Sequence, residues 1–173
     1  MQFFDYTIAW CKGEISEARI ILVFGIIAIV CALLFWKTGG TPHSKAMLYP
    51  LLIAGILFSS IGIGMLIKNS ERMELFARSY YDDHAAFIKA EKERTESFIS
   101  WYPITFKIAA AITIIGLAFI LFWNTSIGRT IGLTLVLLAL AIFFIDHFSE
   151  ERAYIYHQKI VEEFNKIEQK TLP

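Results

Sequence analysis

Charge is what this sequence has least of. Asp, Glu, Lys and Arg make up 18% of its 173 residues, against roughly 25% in an ordinary soluble domain. Neither sign is in excess, because sixteen basic residues face sixteen acidic ones. That balance excludes the strong basic field of a nucleic-acid binder. Cysteine is almost missing as well, with only Cys11 and Cys31 and no CxxC. Twenty helical residues would hold those two thiols about 30 Å apart, far beyond disulfide reach. A disulfide scaffold and a thiol-oxidising membrane enzyme are therefore both excluded. What fills the gap is apolar. Hydrophobic residues account for 56% of the chain and the mean hydropathy is +0.54, which excludes a disordered tail and argues against a soluble enzyme.

The apolar excess is gathered into four runs, residues 20–36, 46–67, 104–123 and 130–145, of 17, 22, 20 and 16 residues. Lys107 is the only charge inside any of them. A helix crossing a hydrocarbon core needs about 20 residues, with about 17–25 tolerated. The first and last runs are short, but Arg19, Arg129 and Asp146 at their ends can reach toward headgroups. None of the runs alternates polar and apolar residues as barrel strands do. The sequence thus predicts an all-α integral membrane protein with four transmembrane helices. Trp36 and Trp123 end the first and third runs, and Trp10 and Trp101 precede the same two. Indole rings prefer the membrane–water boundary, so all four support the span limits independently. The first run is expected to remain as a signal anchor. Asp5, Glu14 and Glu17 precede it where a cleavable signal would be basic, and no small-residue cleavage site follows Trp36.

Four crossings place both ends of the chain on one side, with the long connection 68–103. The other side receives two short loops carrying Lys37, Lys45 and Arg129 and no acidic residue. The remaining thirteen basic residues lie on the first side. The positive-inside rule then makes the termini and the connection cytoplasmic. The two halves also resemble one another. Each has a span ending in Phe-Trp (Phe35-Trp36, Phe122-Trp123), a short loop, a second span, and a charged segment opening with Ser70-Glu71-Arg72 or Ser149-Glu150-Glu151-Arg152. Two spans return the chain to its starting side, so this predicts two hairpins in a parallel repeat, unlike the inverted repeats of many transporters.

The expected organisation is an N-terminal cytoplasmic or interfacial segment (1–18), a first hairpin (19–67), a cytoplasmic helical hairpin (68–103), a second hairpin (104–145) and a cytoplasmic C-terminal helix (146–173). The second and fourth spans are expected to continue into a cytoplasmic helical bundle. Asp82-Asp83-His84 is the expected turn in the connection, with an Asp capping a helix over 85–101. Pro103 suits the start of the third span. Ala153, Tyr156, Ile160, Phe164 and Ile167 form an apolar stripe at helical spacing. Phe3, Phe4, Tyr6, Ile8 and Trp10 suggest that the N-terminal segment lies along the interface.

Candidate chemistry is sparse. The span centres hold no charge, which argues against a proton- or ion-coupled transporter. Ser59, Ser60, Thr113 and Thr134 are expected to bond helix carbonyls. Gly55, Ser59, Ser60, Gly64, Gly128 and Gly132 mark faces where helix backbones can approach closely. His147 shares a helix face with Glu150 and Glu151, but no second ExxH motif accompanies it, as a di-iron bundle would require. No catalytic, cofactor-binding or metal-binding residue is assigned. The densest polar feature is a ring at the inner boundary: Glu14, Glu17, Arg19, Glu71, Arg72, Lys107, Asp146, His147, Glu150, Glu151 and Arg152. It serves either to fix helix register through pairing in a reduced dielectric or to dock a partner. Acids outnumber bases in it, which favours a protein partner over anionic lipid.

The phrases Gly13-Glu14-Ile15 with Glu17 and Arg19, Asp83 to Phe87 with Glu91, Glu93-Arg94 with Glu96-Ser97-Phe98, and Asp146-His147-Phe148-Ser149-Glu150-Glu151-Arg152-Ala153 resemble a family of small four-span bacterial inner-membrane proteins. The resemblance covers nearly the whole chain and implies a bacterial inner-membrane location without implying a reaction. In size and layout alone the chain also resembles four-span immunity proteins that guard against membrane-acting toxins. The expected function is a non-enzymatic inner-membrane interaction protein, an immunity protein being one concrete form. The expected partners are the lipid bilayer, a membrane or cytoplasmic protein, or further copies of the chain, and no nucleic acid. The alternatives are a small oligomeric channel lined by Ser59, Ser60 and Thr134, and a metal-binding protein using His147, Glu150 and Glu151 at the cytoplasmic face.

Overall fold

Backbone amides in hydrocarbon have no water to bond, so long apolar runs must satisfy them internally as helices. The computed structural model describes residues 3–171. The extreme ends of the expected segments 1–18 and 146–173 lie outside the described residues. Six helices follow in order: α1 (Phe3–Thr38), α2 (Pro42–Ala46), α3 (Leu48–Asp82), α4 (His84–Ile99), α5 (Tyr102–Phe122) and α6 (Ser126–Thr171). No strand occurs among the described residues.

The stretches Phe3–Thr38, Pro42–Asp82, His84–Phe122 and Ser126–Lys170 each hold a helix long and apolar enough to cross a membrane. Ile53, Ile114, Leu121 and Phe122 on these helices are largely exposed. So much apolar surface is an aggregation liability in water and a normal boundary in lipid. The chain is a multi-pass membrane protein. α1, α3 and α6 are longer than any bilayer requires. At 46 residues, α6 extends for about 69 Å, against a hydrocarbon core of about 30 Å. The surplus of all three helices projects at the end that carries the termini, called here the terminus end. The opposite end is the loop end.

Local sequence sets the breaks between helices. Asp83 is extended at φ −147° and caps α4, its Oδ1 accepting from the Ala86 amide at 2.9 Å. The turn between α3 and α4 is therefore a single residue, and α4 begins at His84. Pro103 occupies the first turn of α5, where its missing N–H has no intrahelical partner to lose. The first short loop contains α2. Thr41 and Ser44 form a reciprocal capping box there, with Pro42 in the first turn.

α1 packs along α3 and α5 along α6, and these are the most extensive contacts in the molecule. Glycine makes both close. A Cβ on Gly25 would lie 2.6 Å from the Ser59 amide nitrogen and 2.8 Å from the Gly55 carbonyl oxygen. A Cβ on Gly132 would lie 2.5 Å from the Gly116 carbonyl oxygen. Backbones this close gain dispersion contacts that lipid cannot supply. Gly128 packs against the Trp123 side chain. Gly64 has open space around it, and Ser60 is exposed and donates to the Ile56 carbonyl. These two therefore take no part in a close approach of backbones.

The two helix pairs meet chiefly at their ends. At the loop end α2 packs on α6, with the Thr130 hydroxyl 3.4 Å from the Ala46 carbonyl oxygen. At the terminus end α1, α3, α4 and α6 share one core of Phe3, Trp10, Cys11, Phe76, Phe87, Ile88, Tyr156 and Ile160. Residues 3–18 do not form a separate segment. They are the opening turns of α1, and Phe3, Thr7, Trp10 and Cys11 are buried inside this core. The aromatic side chains expected to meet lipid headgroups meet the partner helices instead.

Candidate functional site

Two polar clusters occupy the terminus end. The first lies where α1 leaves the membrane-spanning part. Glu14 and Glu17 are one helical turn apart on α1 and converge on Arg152 of α6. Arg152 donates to Glu17 Oε2 and stands 3.5 Å from Glu14 Oε1. Gly13 makes the approach possible, because a Cβ there would lie 3.0 Å from the Arg152 Cδ. Ser149 adds a hydrogen bond to Glu17 and accepts one from the Tyr102 hydroxyl at 3.1 Å. One guanidinium thus serves two carboxylates. Burial, and then the charge of Glu14, push the Glu17 carboxyl up to about 7 against the pull of Arg152. Burial raises Glu14 as well. Burial also pushes the Tyr102 phenol up to about 12. A cleft of about 350 Å³ opens beside this triad, with Ile20, Phe144 and Phe148 forming its apolar wall.

The second cluster sits inside the bundle. Glu91 is 3% exposed and binds Arg94, one turn along α4, through both carboxylate oxygens. The Tyr156 hydroxyl lies 2.9 Å from Glu91 Oε1 and 3.2 Å from Thr7 Oγ1. A phenol has one proton, and the carboxylate can only accept it. Thr7 therefore donates its own proton to the phenol oxygen. Burial, and then the charge of Glu91, raise the Tyr156 phenol well above its ordinary value. Burial opposes the charge of Arg94, yet its bond to Glu91 holds its pKa above the ordinary value. Trp10 stacks on Tyr156 and Phe98 while Arg94 stands 4.5 Å from the Trp10 ring centroid. Arg72 approaches the same ring to 5.7 Å and donates to Asn69 at 2.8 Å. Nearby, the Thr95 hydroxyl donates to the Lys92 carbonyl at 3.0 Å. Nδ1 of His157 stands 2.8 Å from the same hydroxyl and shares a hydrogen bond with it.

Of the boundary ring, then, the fold brings together Glu14, Glu17 and Arg152, and sets Arg72 beside Trp10. Arg19, Glu71, Lys107 and Glu151 are exposed, and Asp146 and Glu150 are half-buried. His147 is exposed, stacks on Phe143 and lies tilted against Phe148, and makes no ion pair with Glu150 or Glu151. No group of three or more His, Cys, Asp or Glu arranged to hold a metal occurs among the described residues. Cys11 is fully buried and its thiol is pushed up to about 11, chiefly by desolvation, so almost no thiolate forms at neutral pH.

In the spans, the hydroxyls of Ser60, Thr113 and Thr134 are tied to carbonyls of their own helices. Thr134 donates to the Thr130 carbonyl and Thr113 to the Ala109 carbonyl. Ser59 does not bond a helix carbonyl as expected: its Oγ is pressed against Gly25 of α1 and is buried without a hydrogen-bond partner. Ser59, Ser60 and Thr134 accordingly face three different surroundings and do not line one path. Sequence reasoning missed the Glu91–Arg94–Tyr156–Thr7 cluster. Its available signals were Tyr156 in the apolar stripe of the C-terminal helix, and Thr7 and Trp10 falling four and seven residues after Phe3, the spacing of a buried helical face. Comparison with protein families, curated proteins and solved structures finds no match. The likeness to four-span inner-membrane proteins rests on the sequence phrases alone.

Proposed function

We propose that the chain is a non-enzymatic interaction protein of the bacterial inner membrane, with both termini and the helical bundle in the cytoplasm and the two hairpins forming a parallel repeat. The observation that carries this reading is where the polar chemistry goes. Arg152 of α6 pairs with Glu17 of α1, Arg94 pairs with Glu91 within α4, and Tyr156 of α6 ties to that same Glu91. They are spent on register, and the Thr95 hydroxyl that stands beside His157 is fully buried, out of reach of a substrate. What remains available is surface. A cleft of about 600 Å³ on the projecting part of α3 is lined by Lys68, Glu71, Arg72, Glu74 and Arg78, with charges of both signs around an exposed Leu75. Mixed charge around an apolar centre suits a protein partner more than a lipid headgroup.

Immunity against a membrane-acting toxin or secreted effector is the concrete form of this proposal. The test is genetic. Deleting the gene in a strain that retains an adjacent toxin gene is expected to be lethal or growth-impairing. Substitutions in the α3 cleft, such as Arg78→Glu with Glu74→Lys, are expected to reproduce the defect while the protein still inserts in the membrane. Unaffected survival of the deletion strain overturns the immunity reading.

A further inference from the structure

The two helix pairs do not close against each other along their whole length. At the loop end a groove of about 650 Å³ separates the first pair from the second. Tyr49, Ile53 and Leu57 of α3 form one wall and Ile131, Thr134 and Leu138 of α6 form the other. The groove follows α3 from Tyr49 to Leu57 and α6 from Ile127 to Leu138, with Ala46 of α2 at its outer end. On α6 eleven helical steps span about 17 Å, close to half of a hydrocarbon core of about 30 Å. It is therefore one leaflet deep. Its interior is apolar, and the hydroxyl of Thr134 is already committed to the Thr130 carbonyl. Its mouth is different, because Lys45 stands there. Lys37 and Arg129 share that end of the molecule, and no acidic residue occurs between Glu17 and Glu71 or between Glu96 and Asp146. Every Asp and Glu belongs to the terminus end.

We infer that this groove is a binding site for one anionic glycerophospholipid, with an acyl chain between α3 and α6 and its phosphate against Lys45. Depth and charge each select this occupant. A slot one leaflet deep fits a lipid tail that enters from its own leaflet. A basic rim free of acids attracts a headgroup of net negative charge and gives no preference to a zwitterionic one. A helix from a second copy would need no charge at the mouth.

The test uses the intact protein purified in mild detergent, with phosphatidylglycerol or phosphatidylethanolamine added and bound lipid counted by native mass spectrometry. One phosphatidylglycerol is expected to be retained per chain, with about fivefold preference over phosphatidylethanolamine, the contribution of one basic side chain near a headgroup. Lys45→Glu is expected to abolish the preference and Lys37→Glu to keep it. Filling either wall, with Ile131→Trp or the exposed Ile53→Trp, is expected to remove the retained lipid. Equal retention of the two lipids by the wild-type protein overturns the inference, and it needs no variant to fold. A lipid-free dimer that Ile131→Trp dissociates also overturns it, by making a second copy the occupant.

Discussion

Glu17 should make the stability of this protein fall as the pH rises through neutrality. Its carboxyl titrates near 7 in the fold, against an ordinary value of 4.5. A raised carboxyl pKa means that the folded state holds its proton more tightly than the unfolded chain. The associated stability is fully present below 4.5 and is lost as the pH passes through 7. The span between the two values corresponds to about 3 kcal/mol. In a chain of this length that is a shift of about 6–12 °C in Tm. Thermal unfolding in mild detergent, followed by tryptophan fluorescence at several values between about pH 4 and pH 8, reads the effect directly. Glu17→Gln keeps the shape and removes the titration. Its advantage over the wild-type protein should be absent at the acid end and grow to the full shift at the alkaline end. Arg152→Gln should steepen the wild-type slope, since Glu14 and Glu17 then face each other without a countercharge. Parallel pH profiles for the wild-type protein and Glu17→Gln would refute the reasoning.

Three other outcomes follow from the packing. Gly25→Leu and Gly132→Leu should each cost about 1–3 kcal/mol through overpacking, whereas Gly64→Leu should stay within about 0.5 kcal/mol; unfolding in sodium dodecyl sulfate compares them. Tyr156→Phe should cost about 1–3 kcal/mol, because Glu91 loses one of its buried hydrogen-bond donors; an unchanged melting curve counts against the assigned network. Cys11 should resist maleimide at neutral pH in the native protein and react once the bundle is unfolded, measured by mass shift in a Cys31→Ala background.

The membrane part was legible because hydrocarbon imposes one rule on every residue in it. Runs without charge had to be helices, and Trp36 and Trp123 marked where two of them stop. Asp83 and Pro103 were legible as punctuation because a cap and a missing N–H act within one turn. The bundle was harder. Glu91, Lys92, Glu93 and Arg94 alternate in charge along the sequence with nothing to single out one of them, and it is Tyr156, sixty-five residues away, that meets the buried Glu91. The boundary ring was visible as composition, but spacing could not separate Glu14, Glu17 and Arg152, which converge, from Arg19, Glu71 and Glu151, which face outward. Ser60 and Gly64 carried the same small-residue pattern as Gly55 and Ser59. One pair faces α1 and the other does not, and that depends on how α3 is rotated about its axis.

α6 crosses the whole molecule as one uninterrupted helix, from Ser126 to Thr171. Ile131 and Thr134, at the groove, and Arg152, Tyr156 and His157, in the bundle, are therefore mounted on a single lever. It has no glycine or proline after Gly132 among its described residues to act as a joint. A tilt of about 5° at the loop end carries the far tip about 6 Å. An occupant of the groove that tilted α6 would therefore shift Arg152 and Tyr156 at the far end without a relay of side chains in between.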